Sequence, residues 1–466
     1  MIPKLYIPTP ILMPSEITKR KDVQALLLGY MEDYYSMPRR KVLRKGDVIT
    51  FDKSVATPIT HDEKMELLES QIPLFYDALL VKNKLLAIGP YLPNLGKMIG
   101  KPRLFLHHLQ HKNKTQEVKY FQENYRELNY VVIDNIPEDV KINPADWQLS
   151  FKFESFEQRI RLQQNPFNGG QLKNTLVTAQ KDNPLKWISD WCNYYHENHE
   201  VGRVIIYNNA PTPLESLPDL SVNDDMEVWY VEWPHKKYQR FCRCQFGSLN
   251  HSYRLAQDVT SYFLNFDIDE YLVNDSGMPL DAYLSTKNPK GIAATCFNVP
   301  INIPRPDKDY RALKNSVGTR VDSTTKYMYA PNFWHFIDVH RAYRTQNLLG
   351  PSWLILLNTS RKNIIFLIMQ YFNRVSFKAE QKFRFHQDTQ AVVEATSALN
   401  NSRKSIVFSI MRKLLRKLIK YLYLRIWRRF IHKYATIGVA PADELYFLHY
   451  GSLNHYSKVI VDLKHA

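Results

Sequence analysis

Glycine is scarce in this chain of 466 residues, with 15 in all. Neither G-x-x-x-x-G-K-[ST] nor G-x-G-x-x-G occurs, which argues against P-loop and dinucleotide enzymes that cradle phosphates on glycine-rich backbone. There are four cysteines, too few for a disulfide framework in a chain this long. Cys242 and Cys244 flank Arg243, a poor zinc signature, so structural or incidental cysteines are expected. No uncharged apolar run reaches the roughly 18 residues that a membrane-spanning helix needs. Met1 to Pro14 lacks a charged start followed by a long apolar run, so no signal peptide is expected. The window from Ala395 to Ala442 contains no aspartate or glutamate.

What is present is aromatic and basic. With 29 Tyr and 23 Phe, the chain can bury a sizeable core, and its length suits two domains or one large domain with additions. The formal charge of +16 is concentrated in the acid-free window. There Met411, Leu414, Leu415, Leu418 and Leu422 share one helical stripe, and Arg412, Lys413, Arg416, Lys417 and Lys420 share the opposite face. A cationic amphipathic helix of this kind suits an anionic membrane surface. The apolar run Asn363 to Phe372 is too short to span a bilayer. Nucleic acid is not expected as a partner, because no recognised nucleic-acid module accompanies the basic residues.

Along the chain, residues 1–165 read as an N-terminal accessory domain of mixed α and β structure. Arg39, Arg40, Lys41, Arg44 and Lys45 precede a Gly46-Asp47 turn signal, and Thr60-x-x-Glu63 reads as a capping box. Lys119 to Leu128 reads as helix, Tyr130 to Asp134 as strand, and His107, His108 and His111 as a basic surface loop. Asn165 to Gly170 is a linker. After it come a strand (Leu172–Ala179), an amphipathic helix (Pro184–His199) and two strands (Arg203–Tyr207, Glu227–Trp233). A helix (Arg240–Val259) and a strand beginning at Tyr262 follow. That alternation predicts an α/β fold with a mostly parallel sheet and crossover helices.

The last strand stops at Phe266-Asp267-Ile268-Asp269-Glu270. On an extended backbone, Asp267 and Asp269 would point to the same side, where they repel unless a cation lies between them. Mg²⁺ or Mn²⁺ would suit such oxygen ligands and leave positions for substrate phosphates. The predicted site is therefore a metal centre holding a diphosphate at the carboxyl end of a strand.

Several segments together resemble one family. They are Lys181-Asp182-Asn183 before Trp187-Ile188-x-x-Trp191-x-x-Tyr194-Tyr195-His196, then Val204 to Asn209, Gln245, and Asp267 to Leu272. Lys326, Pro331 and His340, and the late His449-Tyr450, follow in order. The set resembles the GT-A-fold glycosyltransferases of the family 92-like group, which includes the animal β-galactosyltransferases acting on fucose. Asn183, Asn208 and Asn302-Ile303-Pro304-Arg305-Pro306 depart from that pattern.

The resemblance implies a GT-A fold, Rossmann-like with a mostly parallel central sheet flanked by helices. The catalytic domain would span 166–345, a basic helical insertion 346–442, and a return segment 443–466. It implies a metal-dependent transferase that uses a nucleotide-sugar donor, a UDP-sugar, and a cell-surface glycan or lipid-linked acceptor. Asp267, Asp269 and His340 would hold Mn²⁺ or Mg²⁺, with His335 and His449 as rivals for the histidine. Lys181, Asp182, Asn208, Asn209 and Gln245 would meet the nucleotide, with Asn250 a weaker candidate, and Lys326 would meet the diphosphate. Glu270, Asp307 and Asp309 are the choices for a base. The expected location is cytoplasmic and peripheral, on the inner face of the cell membrane. Two alternatives stand: a non-catalytic basic scaffold binding membrane or nucleic acid, and a nucleotide-sugar hydrolase.

Overall fold

Apolar runs such as Leu176-Val177 and Val204-Ile205-Ile206-Tyr207 suit strands covered on both faces, and all of these residues are buried. The computed structural model describes residues 3–36, 41–45, 48–52, 72–81, 83–90, 92, 95–111, 113–125, 128–210, 214, 216–234, 244–298, 319–331, 336–338, 341–343, 438–441 and 444–449. The chain divides into two units, Met1–Ala342 with Ile437–Ala466, and Tyr343–Thr436. The first carries everything described below.

A ten-stranded sheet forms its centre. In chain order the strands are β1 (Lys4–Tyr6), β2 (Lys173–Gln180), β3 (Val201–Asn208), β4 (Glu227–Glu232), β5 (Thr260–Asn265), β6 (Glu270–Asn274), β7 (Gly291–Asn298), β8 (Thr319–Tyr329), β9 (Gly438–Val439) and β10 (Leu445–His449). Their order in space is β1-β4-β3-β2-β5-β8-β7-β10-β6, with β9 beside β7. The first five are mutually parallel. β8 runs antiparallel between β5 and β7, and β6 runs antiparallel to β10. The sheet is thus mostly parallel. After β2 the chain builds outward through β3 and β4, then crosses to the other side of β2 to lay down β5. That reversal puts the switch in strand order between β2 and β5, and in open α/β sheets ligands bind at the carboxyl ends of such strands.

Helix α1 (Leu185–His199) and helix α3 (Leu280–Lys287) cover one face. Ile188, Trp191, Tyr195, Tyr283 and Leu284 share a core there with Leu176, Val204, Ile206 and Leu264. Helix α2 (Cys244–Ala256) covers the other face, where Tyr253 packs against Phe263 and Tyr329. Gly247 on α2 lets it lie close to its neighbours: a Cβ there would stand 2.7 Å from Cε2 of the Tyr76 ring.

Residues 73–161 hold two antiparallel four-stranded sheets. Leu85, Ala87 and Val131 of one sheet and Leu104, Leu149 and Phe151 of the other share a single core, joined by Val23 and Leu27 of helix Lys21–Ser36. Three expectations change here. The first residues are not separate from the central sheet, because Lys4–Tyr6 is its edge strand beside β4. The expected helix over Lys119–Leu128 is instead strand Phe121–Tyr125, paired with Leu128–Ile133; long-range pairing overrides local helix preference. His107 and His108 end strand Arg103–His108 rather than lying in a loop. His108 Nδ1 accepts from the amides of Gln110 and His111, which closes the turn that follows.

Strands Lys41–Lys45 and Val48–Asp52 pair on either side of Gly46-Asp47, as that turn signal predicts. The Thr60–Glu63 capping box, Asn302–Pro306, Asp307, Asp309, His335, His340, the apolar run 363–372 and the amphipathic stretch 411–422 lie outside the described residues.

Candidate functional site

Strand β5 ends at Asn265, and the chain turns at once. The Glu270 amide donates to the Asp267 carbonyl at 2.9 Å, closing a tight turn with Ile268 and Asp269 at its centre. The acidic pair therefore lies on a turn, not on the extended strand that the spacing suggested. Two apolar residues anchor it, since Phe266 and Ile268 both belong to the α1-side core. The turn stands at the carboxyl end of β5, beside the reversal point between β2 and β5.

Lys326 meets this turn from β8. The register Leu264↔Met328 carries it alongside the point where β5 gives way to the turn. Its Nζ lies 2.8 Å from Asp267 Oδ2 and 3.0 Å from Glu270 Oε2. The lysine side chain is 1% exposed, Glu270 4% and Asp267 41%. Burial alone would lower the ammonium's pKa, but the charges of Asp267 and Glu270 and their hydrogen bonds outweigh it and hold the value above the usual lysine range. Glu270 Oε2 also accepts from the Asp267 amide at 2.8 Å. These two contacts of the Glu270 carboxylate lie within the turn and its lysine. Lys326, expected to meet the diphosphate, stands at the acidic turn and contacts its carboxylates.

Helix α1 fixes the backbone of Glu270 and Leu272 along the edge of β6. Trp191 Nε1 and Tyr195 Oη donate to the Glu270 carbonyl, each at 3.1 Å. The Leu272 amide donates to Tyr195 Oη at 3.1 Å. His199 Nε2 contacts the Leu272 carbonyl at 2.8 Å, and Tyr194 Oη donates to the same oxygen. Burial lowers the His199 pKa to about 4, so its imidazole is neutral and Nε2 is the donor. In the sequence Trp191, Tyr194 and Tyr195 belong to the segment that carries the family resemblance and His199 ends the helix; the signal for this role was that all four carry a polar atom.

At the carboxyl ends of β2, β3 and β4, Gln180 Nε2 donates to Asn208 Oδ1 at 2.7 Å, and Asn208 Nδ2 lies 3.4 Å from both Glu232 oxygens. Asn208 is fully buried, so its amide braces the sheet edge from within. Asn209 is half-buried and donates to the Trp233 carbonyl at 2.8 Å. Lys181 and Asp182 are exposed at the end of β2, with Asp182 in the left-handed region at φ 55°. Gln245 is exposed on the first turn of α2. Asn250 is buried and pairs with the backbone of Ile337, accepting from its N–H at 2.9 Å and donating to its carbonyl at 2.6 Å. It pins strand Phe336–Asp338. The backbone of His449 belongs to β10, opposite Glu270 in register.

Asp267 and Asp269 supply the hard oxygen donors that Mg²⁺ or Mn²⁺ takes. Glu270 is committed elsewhere. Among the described residues no group of three His, Cys, Asp or Glu side chains is arranged to hold a metal. By their chemistry, the two carboxylates would leave the remaining positions of such an ion to substrate phosphates and water. A cavity of about 420 Å³ lies at the opposite, amino edge of the sheet, lined by Lys4, Lys173, Asp225 and Glu227 among others. Glu227 is paired there with Lys4 and Arg203, and the place is the wrong end of the strands for a ligand crevice.

No family model and no curated protein matches the chain. Among solved structures, a ferredoxin reductase in carbazole 1,9a-dioxygenase, in its FAD apo form, is similar at 11% identity over 34% of this chain and 51% of that one, with a TM-score of 0.11. The match spans about half of that protein's length and carries no argument.

Proposed function

We propose that the chain is a GT-A-type glycosyltransferase that moves a sugar from a nucleotide-diphosphate donor, a UDP-sugar by its sequence resemblance, to a cell-surface glycan or lipid-linked acceptor. One observation carries this reading: the Asp267–Glu270 turn stands at the carboxyl end of β5, at the reversal point of a mostly parallel sheet. Ligands bind at that place in open α/β sheets. The resemblance of Lys181–Asn183, Val204–Asn209 and Asp267–Leu272 to the family supports it from the sequence side.

In this reading Asp267 and Asp269 hold Mn²⁺ or Mg²⁺, which supplies Lewis-acid stabilisation of the leaving diphosphate. Lys181, Asp182 and Asn209, at the neighbouring strand ends, meet the base and ribose. Asn208 and Gln180 brace that edge from inside. Phe266 and Ile268 anchor the turn, and α1 fixes the backbone that follows, so the acidic groups need little reorganisation when substrate binds. The basic stretch 395–442 would place the enzyme peripherally on the inner face of the cell membrane. Among the described residues, no helix is long and apolar enough to cross a membrane.

Melting the protein with UDP and Mn²⁺ tests donor binding, because a ligand of the native state raises the midpoint. Asp267→Ala and Asp269→Ala are each expected to lower transfer at least about 100-fold while keeping the circular dichroism spectrum. Full activity in both variants, together with indifference to EDTA, would remove the metal mechanism. Sugar release without acceptor, unchanged when acceptor is added, would point to a hydrolase instead.

A further inference from the structure

We infer that Lys326 is the resident cation of the acidic turn. It is a positioning residue that holds Asp267 and Glu270 in place before a divalent ion arrives, and it keeps the free turn from loading one, so that metal enters together with the diphosphate. The inference rests on the functional reading above and deepens it.

Three carboxylates fall within four successive residues here, Asp267, Asp269 and Glu270. Such a group would repel itself if nothing positive stood beside it. The structure supplies the positive charge from within the sheet. Lys326 Nζ bridges Asp267 Oδ2 and Glu270 Oε2 at 2.8 and 3.0 Å. The lysine is held on β8, which is paired on both sides, to β5 and to β7. Its side chain is 1% exposed, so it cannot swing out to solvent as a surface lysine would. Glu270 in turn is fixed by the Asp267 amide as well as by the ammonium. The ammonium thus holds two of the turn's three carboxylates in place.

The same ammonium discourages a lone metal ion. A divalent cation on Asp267 would sit near a fixed positive charge, on a carboxylate already partly neutralised by it. A nucleoside diphosphate brings negative charge that offsets this repulsion. The site should consequently take a metal–diphosphate complex much more readily than the metal alone. This role is distinct from that of a lysine that grips phosphate directly, because Lys326 makes both of its ion pairs to carboxylates.

The test is Mn²⁺ binding to the full chain, followed by the loss of the free-ion electron paramagnetic resonance signal, with and without UDP and with no turnover. Wild type is expected to bind Mn²⁺ weakly alone and at least about tenfold more tightly with UDP. Wild type that binds free Mn²⁺ as tightly as it does with UDP would overturn the inference, with no variant needed. The double variant Lys326→Met/Glu270→Gln removes the ammonium and its buried partner together, so no unpaired buried charge remains. It is expected to bind free Mn²⁺ about tenfold more tightly than wild type, whereas Lys326→Arg stays weak. A folded double variant with no gain would equally overturn the inference, while Mn²⁺–UDP binding by wild type left the functional reading standing. Wild type that bound neither Mn²⁺ nor Mn²⁺–UDP would sink the functional reading and this inference with it.

Discussion

His251 on α2 reaches Asp77, 174 residues away in sequence, with Nε2 2.9 Å from Oδ2 and both side chains fully buried. Asp77 offers acceptors, so Nε2 carries the proton. Tyr207 Oη lies 2.7 Å from Nδ1 on the other side of the ring. Tyr6 Oη donates to Asp77 Oδ2 at 2.8 Å, and the Thr9 amide donates to Oδ1 at 3.0 Å. The chain of contacts thus ties strand Asp77–Val81 to α2, to β3 and to the segment after β1. Trp233 packs against Tyr76, Tyr207 and His251, and its amide donates to the Asn208 carbonyl at 3.0 Å. The N-terminal sheets are thereby braced against the strand ends proposed to meet the donor.

Removing the carboxylate should break this joint. Asp77→Ala leaves the His251 N–H and the Tyr6 hydroxyl without their partner, in a place water does not reach. Each buried donor left unsatisfied costs about 1–3 kcal/mol. A correspondingly lower urea midpoint is expected, and a change under about 1 kcal/mol would show that the network contributes little.

The pH dependence follows from the same group. Burial pushes the Asp77 carboxyl up, but the hydrogen bond and charge of His251, the Thr9 amide and the Tyr6 hydroxyl outweigh it, and the folded value lies below the ordinary one. A carboxyl with a depressed folded pKa contributes stability above its unfolded value, near pH 4. That contribution disappears as pH falls through the folded value. The urea midpoint of wild type should therefore drop below about pH 4, and Asp77→Ala should drop less. Glu227, held low against burial by Trp229, Arg203 and Lys4, acts in the same direction in both proteins. Parallel curves for the two proteins would contradict the assignment to Asp77.

Local pattern made the central sheet legible. Leu176-Val177, Val204 to Tyr207 and the stripe on α1 each declare an element, and their alternation implies parallel strands. The acidic turn was visible as composition but not as geometry: Asp-x-Asp reads as two residues of a strand, and only the bond from the Glu270 amide back to the Asp267 carbonyl shows that the chain turns. Lys326 lies 59 residues from Asp267, so no local rule pairs them, and only its order along a family pattern singled it out. Asp77 and His251 are further apart still, and a lone aspartate before Ala78-Leu79-Leu80-Val81 reads as a strand boundary. Phe121–Tyr125 was misread because its partner strand decides its conformation and its own propensities do not.

The acid-free stretch 395–442 yields a prediction from charge alone. The protein should sediment with vesicles rich in anionic lipid, and less so as salt rises, because screening shortens the reach of surface charge to about 3 Å at 1 M. Vesicles of neutral lipid should retain much less. Equal retention on both vesicle types, unaffected by salt, would exclude the electrostatic mode.

Two neighbouring tyrosines on α1 separate the role of the β6 edge from general packing. Tyr195 Oη donates to the Glu270 carbonyl and accepts from the Leu272 amide. In Tyr195→Phe the carbonyl keeps Trp191 Nε1, but the amide loses its side-chain acceptor inside the core. An unsatisfied buried donor costs about 1–3 kcal/mol. Tyr194 Oη donates to the Leu272 carbonyl, which also has His199 Nε2. Tyr194→Phe leaves that oxygen satisfied and should cost no more than about 1 kcal/mol. Both substitutions remove one hydroxyl from a buried aromatic ring, so packing alone predicts equal effects. A larger loss in Tyr195→Phe, in the urea midpoint and in Mn²⁺–UDP binding alike, is the expected result. Equal losses would mean that the backbone after the acidic turn is held by packing and not by this hydrogen bond.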